Sequence, residues 1–411
     1  MMRGPTVLLS FFMVACSQDV VPKDLADVGR LDARVFRDAR TVDSGKPIDA
    51  SQADAGPEQA DAGPEQADAG LERADAMAAE DASLVMDAMP LDSSIPDAGP
   101  QTPVWEALLN NRIGFGRNAR GGQGGSVCWV ENLNDRGSGS LRNCIDGNTP
   151  VWIRFRVSGR IRLNSRIDVD SFTTIDGRGE DVTITRFGLR IRDKRHIIIH
   201  NLKFDDGTGN DEDAIQIVEN AQHIWVNHVS FSRYTDGLLD ITRGATDVTV
   251  SWCKFFDHDK TMLISANTNH TMDTNIRVTL HHNWFSETTQ RHPRIRFGKV
   301  HAFNNYYHRW GSYAIGASHR SQLRSQANIF EPDRDYDGII TQVGSDPDQG
   351  EVRTDDDWRV RVNLIRARLN ERNRNNVFDP SDFYSYTVDT ADATLRTRIQ
   401  DSAGWEDVPL P

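Results

Sequence analysis

Between residues 151 and 330 the chain alternates short apolar runs with polar turns. The runs include 151–157, Thr173-Thr174-Ile175, Val182-Thr183-Ile184, Ile197-Ile198-Ile199 and Val248-Thr249-Val250. Short runs rich in β-branched residues predict strands, and hardly a helical period interrupts them. The runs also recur. Asn201-Leu202-Lys203-Phe204 is echoed by His228-Val229-Ser230-Phe231, Trp252-Cys253-Lys254-Phe255, Asn283-Trp284-Phe285, Asn304-Asn305-Tyr306-Tyr307 and Asn328-Ile329-Phe330. The landmark aromatic moves from 204 to 231, 255, 285, 306 and 330, in steps of 27, 24, 30, 21 and 24 residues. A period in the twenties, with short strands and one Asn or aromatic per repeat, predicts a solenoid of β-coils. One coil cannot bury its apolar face alone, and stacked coils share a core. A propeller blade needs about 40 residues, which this period does not supply. The expected fold is all-β, a single-stranded parallel β-helix.

The flanks read differently. Residues 1–16 resemble an export signal: Arg3 is followed by a short apolar run ending at Met13-Val14-Ala15-Cys16. That run is too short to span a bilayer. Its end resembles a bacterial lipobox, which makes Cys16 a candidate lipidation site; cleavage and plain secretion stays open, since Met13 replaces the usual Leu. The only membrane contact expected is through that anchor. Residues 17–103 predict a disordered acidic linker, with Phe36 its one aromatic. Asp54-Ala55-Gly56-Pro57-Glu58-Gln59-Ala60 recurs from Asp61, and its Gly-Pro steps exclude a coiled coil. The folded domain is expected over 104–411. Within it, 334–411 shows no recognisable chemistry and is expected to form a cap and arm.

Charge changes the picture once it is divided. The chain carries a formal −13. The linker holds 19 acids and 7 bases, so 104–411 is left with 41 acids and 39 bases. A near-neutral domain carries no electrostatic footprint for nucleic acid. Cys128 and Cys144 are a candidate disulfide in an exported protein, with two buried thiols the alternative, and Cys253 is expected in the core. Gly114-Phe115-Gly116-Arg117-Asn118-Ala119 matches a loose nucleotide-binding pattern, but no strand precedes it and no amphipathic helix follows.

Arg291-His292-Pro293-Arg294-Ile295-Arg296 concentrates three guanidiniums. Proline breaks strand alternation, so a bend at Pro293 would turn Arg291 and Arg296 toward one groove. Arginine grips carboxylates bidentately, which points to a polyanionic substrate. In stacked coils, residues one period apart lie about 5 Å apart along the axis. The spacings of Asp213, Asp236, Lys260 and Arg291 fit one column on one outer face, and Asp236 and Asp240 are expected to share a strand face. Clustered carboxylates call for a cation, and oxygen-only ligands favour Ca²⁺. Ordinary solvated Asp at turns is the competing reading. His281-His282 is a poor transition-metal pair, because neighbours on a strand face opposite ways.

These segments together resemble the pectate lyase family, of the right-handed parallel β-helix type, over roughly 111–330 with a looser tail to Trp405. The resemblance rests on Gly137-Ser138-Gly139-Ser140-Leu141-Arg142, Trp225-Val226-Asn227-His228, Asp236-Gly237-Leu238-Leu239-Asp240-Ile241, Asp257-His258-Asp259-Lys260 and the block 291–307. It implies Ca²⁺ on Asp213, Asp236 and Asp240, with Asp211 a further ligand. It implies Lys260 and Arg296 as carboxylate grips, Arg291 as the base, and Arg294 as structural. Asn227 stands where the signature has Asp, a position expected to be structural. The implied activity is β-elimination from polygalacturonate or low-methylated pectin, yielding 4,5-unsaturated oligogalacturonides, by an exported monomer that is secreted or lipid-anchored at the cell surface.

The residues suit that chemistry. The C5 proton lies α to a carboxylate, and cations on that carboxylate stabilise the developing charge. A free guanidinium stays protonated at ordinary pH, so a base role calls for cationic neighbours or alkaline conditions. The alternatives are a polygalacturonase-like hydrolase, a pectin lyase, against which the acids argue, and a non-catalytic surface polysaccharide binder.

Overall fold

The structure, a computed structural model, describes residues 104–145, 147, 149–333, 339–360 and 369–409. The export segment with Cys16 and the stretch 17–103 lie outside the described residues. The described chain winds as a right-handed parallel β-solenoid of about 9 turns. Its strands form parallel sheets of ten, eight and nine strands, each coil adding one strand to each sheet in turn.

Register follows the repeat read from the sequence. Phe204, Phe231, Phe255, Phe285, Tyr307 and Phe330 pair coil to coil in the nine-stranded sheet. Their rings stack inside the solenoid with centroids 4.7 to 5.4 Å apart. One rung differs from expectation: the interior aromatic is Tyr307, not Tyr306. Tyr306 faces outward, stacked on Trp284. Adjacent aromatics on a strand look identical in a spacing count, and only the pleat decides which points in.

A polar ladder runs beside the stack. The backbone N–H of Cys253, Asn283, Asn305 and Asn328 donates in turn to Asn283, Asn305, Asn328 and Asp357 Oδ1, at 2.9, 3.0, 2.8 and 2.7 Å. These side chains satisfy buried backbone donors where the chain leaves the ten-stranded sheet. The chain turns there on left-handed residues, among them His228, Trp252, His282 and Asn304, with φ between 51° and 56°. His282 therefore sits at a corner, not on a strand, and its Nδ1 lies 3.0 Å from that of His281. The two rings meet instead of facing apart.

The ends are closed on both sides. Cys128 and Cys144 are joined in a disulfide. At that end Arg142 binds Asp135 and the carbonyls of Ser165 and Arg166. At the other, the expected cap is partly one more coil: Ile340–Thr341, Glu351–Asp355 and Trp358–Arg359 extend all three sheets. The helix Ala393–Ser402 then packs Leu395 and Ile399 against Tyr306 and Ile329.

The glycine-rich segment lies across the ten-stranded sheet. Phe115, Gly116 and Gly122 N–H donate to Thr279, Thr249 and Thr174. A Cβ on Gly116 would stand 2.3 Å from the Ile224 carbonyl, so this backbone approach requires glycine.

Candidate active site

The eight-stranded sheet carries the acidic face. On Ile215–Val218 and Leu239–Ile241 the isoleucines and leucine point into the core, leaving Gln216 and Asp240 paired on the outside. Asp213 and Asp236 lie in the turns that lead into these strands. The strand begins at Leu239, so Asp236 and Asp240 do not share a strand face as expected. Asp236 instead precedes Gly237, ahead of the strand that carries Asp240.

Gly237 is closely flanked by two carboxylates. A Cβ on Gly237 would stand 2.5 Å from Asp240 Oδ1 and 2.8 Å from Asp213 Oδ1. Asp213 accepts from Gly237 N–H at 2.7 Å and Asp240 from Leu263 N–H at 3.0 Å. Both are buried. Burial and then Asp236 push Asp213 up to about 7. Burial and then Asp213 push Asp240 well above the usual carboxylate range, with Arg291 pulling the other way. Negative charge is thus crowded and undercompensated, which is the electrostatics of a cation cradle. Hard oxygen donors of this kind fit Ca²⁺. Among the described residues no group of three or more His, Cys, Asp or Glu side chains is gathered closely enough to hold a metal ion by itself. Asp211 is exposed, in the left-handed region at φ 48°.

The cations line the same face one and two coils on. Lys260 Nζ reaches Asp236 Oδ1 at 3.1 Å. Lys260 bridges to Gln290, so the column is offset by one residue from Arg291. His258 Nε2 donates to the Asp236 carbonyl at 2.6 Å and fixes that turn. The His292-Pro293 peptide is cis and Arg291 has φ 65°. The strand here is Arg294–Ile295. Burial raises the Tyr313 phenol, and Arg294, Arg291 and Arg296 each pull it the other way. Arg296 Nε binds Asp346 at 2.9 Å and its Nη1 the Ser265 carbonyl at 3.2 Å. Arg294 is fully buried and binds Asp346 and Ser345.

Sequence reasoning missed three contributors. Asp346 comes from the extra coil, about fifty residues beyond the arginines it binds, with no motif to mark it. Tyr313 lies between coil landmarks. Glu212 was hidden between two aspartates; it binds Arg166 bidentately at 2.9 and 2.7 Å and accepts from Gly188 N–H. Asn227 is remote from this face, on the ten-stranded sheet, where it accepts from Ser251 at 2.7 Å.

The family model described as "Pectate lyase" matches residues 160–406. Pectate lyase 1 of Ambrosia artemisiifolia is 39% identical over 253 residues, covering 56% of this chain and 63% of that protein. Probable pectate lyase P56 of Solanum lycopersicum is 38% identical over 257 residues, covering 56% and 64%. The matches thus span just under two thirds of those relatives. The crystal structure of jun a 1, the major allergen from cedar pollen, superposes with a TM-score of 0.65 at 27% identity, over 74% of this chain and 95% of that one.

Proposed function

The chain belongs to the pectate lyase family, and from that premise we propose that it is a calcium-dependent pectate lyase, cleaving α-1,4-linked polygalacturonate by β-elimination to 4,5-unsaturated oligogalacturonides. The observation that carries this reading is the pair of buried carboxylates straddling Gly237 with Arg291, Lys260 and Arg296 on the same face. Asp213, Asp236 and Asp240 would hold the calcium, with Asp211 a further ligand. Bound there, Ca²⁺ would neutralise the acid cluster and draw charge from the substrate carboxylate.

Lys260 and Arg296 bind and orient carboxylates of the polymer. Arg296 is pre-set for this by Asp346 and the Ser265 carbonyl. Arg291 takes the C5 proton. The C5–H electron pair becomes the C4–C5 double bond as the C4–O4 bond breaks, and the departing oxygen takes a proton from water. Alkaline conditions favour a guanidine base, and an alkaline optimum is expected. The chain works as an exported monomer; among the described residues no helix is long and apolar enough to cross a membrane.

The test is ultraviolet absorbance on polygalacturonate. The conjugated product should accumulate with calcium and cease in excess chelator; full activity in chelator would sink the calcium assignment. Arg291→Lys should cost at least about 100-fold in turnover with the fold intact. Wild-type rates in that variant would refute the base role. One carboxylate pushed up beside another, Asp213 beside Asp236, also suits a hydrolase. Hydrolysis gives reducing ends without absorbance, so the same assay separates the two.

A further inference from the structure

The cations on the eight-stranded face are mostly spoken for: Arg190 binds Asp168, Lys194 binds Asp170 and Arg166 binds Glu212. A second cationic site, on the ten-stranded sheet, differs. There a cavity of about 530 Å³ is lined by Arg112, Arg117, Arg120, His196 and His223, and by no carboxylate. Its walls are built in. Arg112 Nε donates to the Leu109 carbonyl at 2.6 Å and its Nη1 to the Ala119 carbonyl. His196 donates from Nδ1 to the Asn118 carbonyl at 3.0 Å and stacks on Phe172 and His223. Arg120 is exposed, and its guanidinium has no hydrogen-bond or ion-pair partner among the described residues. The Asp247 carboxylate lies 3.8 Å from His223 but is held bidentately by Arg277.

Like charges crowd here. Arg112 is held below its usual range by burial and by Arg120. His196 is held down by burial, then by His223 and Arg120. Crowded guanidiniums with no carboxylate in the cavity lining are relieved by an anion. The glycine-rich segment 114–125 brings Arg117 and Arg120 there beside Arg112, because its glycines let the backbone lie flat on the threonines of the sheet.

We propose that this cavity is a second, non-catalytic binding site for a carboxylate-bearing polysaccharide, on a different sheet from the one that carries the acids. Three guanidiniums on a rigid segment suit a chain that presents carboxylates at intervals. Nucleic acid is disfavoured, because residues 104–411 hold 41 acids against 39 bases and provide no broad positive field. The choice of polygalacturonate as the polymer rests on the proposed function; the anion site does not. A site of this kind would hold the protein on its polymer while the other face works, raising the local concentration of cleavable bonds.

Affinity electrophoresis tests this with the full chain in chelator, through gels cast with polygalacturonate, fully methyl-esterified pectin or heparin. Arg120→Glu should weaken retardation by polygalacturonate at least 3-fold, and Arg120→Lys should restore most of it. The methyl ester should retard neither protein. In a separate assay, Arg120→Glu should leave the initial rate on trigalacturonate unchanged. Equal retardation of wild type and Arg120→Glu overturns the proposal, as does an Arg120-dependent shift confined to the heparin gel. Retardation is read without turnover, so a protein that produced no absorbance would defeat the lyase reading and leave this result standing.

Discussion

Asn305→Ala tests the polar ladder on which the coils are stacked. Its Oδ1 accepts from Asn283 N–H at 3.0 Å and Asn283 Nδ2 at 2.9 Å; its Nδ2 donates to the Leu280 carbonyl and Asn328 Oδ1, both at 2.9 Å. The losses are unequal. Asn283 Nδ2 keeps the Val250 carbonyl, and Asn328 Oδ1 keeps the Asn305 N–H. Asn283 N–H loses the acceptor it has in the ladder. An orphaned buried donor costs about 1–3 kcal/mol, and each further bond removed costs about 1 kcal/mol net. The sum over the four bonds is about 4–6 kcal/mol. The residue lies at the corner of the ten-stranded and nine-stranded sheets, not on the acidic face, so activity in dilute buffer should stay close to wild type. The assay is urea unfolding followed by tryptophan fluorescence, with the midpoint compared at fixed slope. A loss under about 1 kcal/mol would mean that the ladder is incidental and that the aromatic stack alone sets coil register. A changed slope would indicate that the solenoid unfolds in separate segments.

Three further outcomes follow from the geometry. Gly237→Ala places a methyl 2.5 and 2.8 Å from the two carboxylates and should cut activity at least about 10-fold with an unchanged circular dichroism spectrum; retention of half the wild-type rate would count against the cradle. Asp357 is pushed up to about 7 by burial, above its unfolded value, so its contribution is full in acid and lost as pH rises through about 7; Asp357→Asn should therefore gain stability relative to wild type between pH 5 and 9, and parallel melting curves at all pH values would contradict that shift. Asp346→Asn removes the charge shared by Arg294 and Arg296 and should raise KM for polygalacturonate several-fold while also lowering the melting temperature; an unchanged KM would show that Arg296 is placed by its other contacts.

What the sequence determined by itself was whatever repeats or is local. The period of the strands, the Asn and aromatic rungs and the close spacing of Asp236, Gly237 and Asp240 all follow from side-chain alternation and from the need of each coil to share a core with the next. Parity and register lay beyond it. Tyr306 and Tyr307 exchanged roles because a one-residue shift reverses the face of a strand. Asp240 came to lie beside Asp213 of the preceding coil across Gly237, while Asp236 fell outside the strand. Asp346 reached Arg294 and Arg296 because one more coil followed where only a cap was expected. The glycine-rich segment resembled a phosphate loop in composition, yet its glycines serve the approach of one backbone to another. Tertiary structure decided these points because each depends on which residues of distant coils come to lie side by side, and a solenoid sets that by the length of every intervening turn.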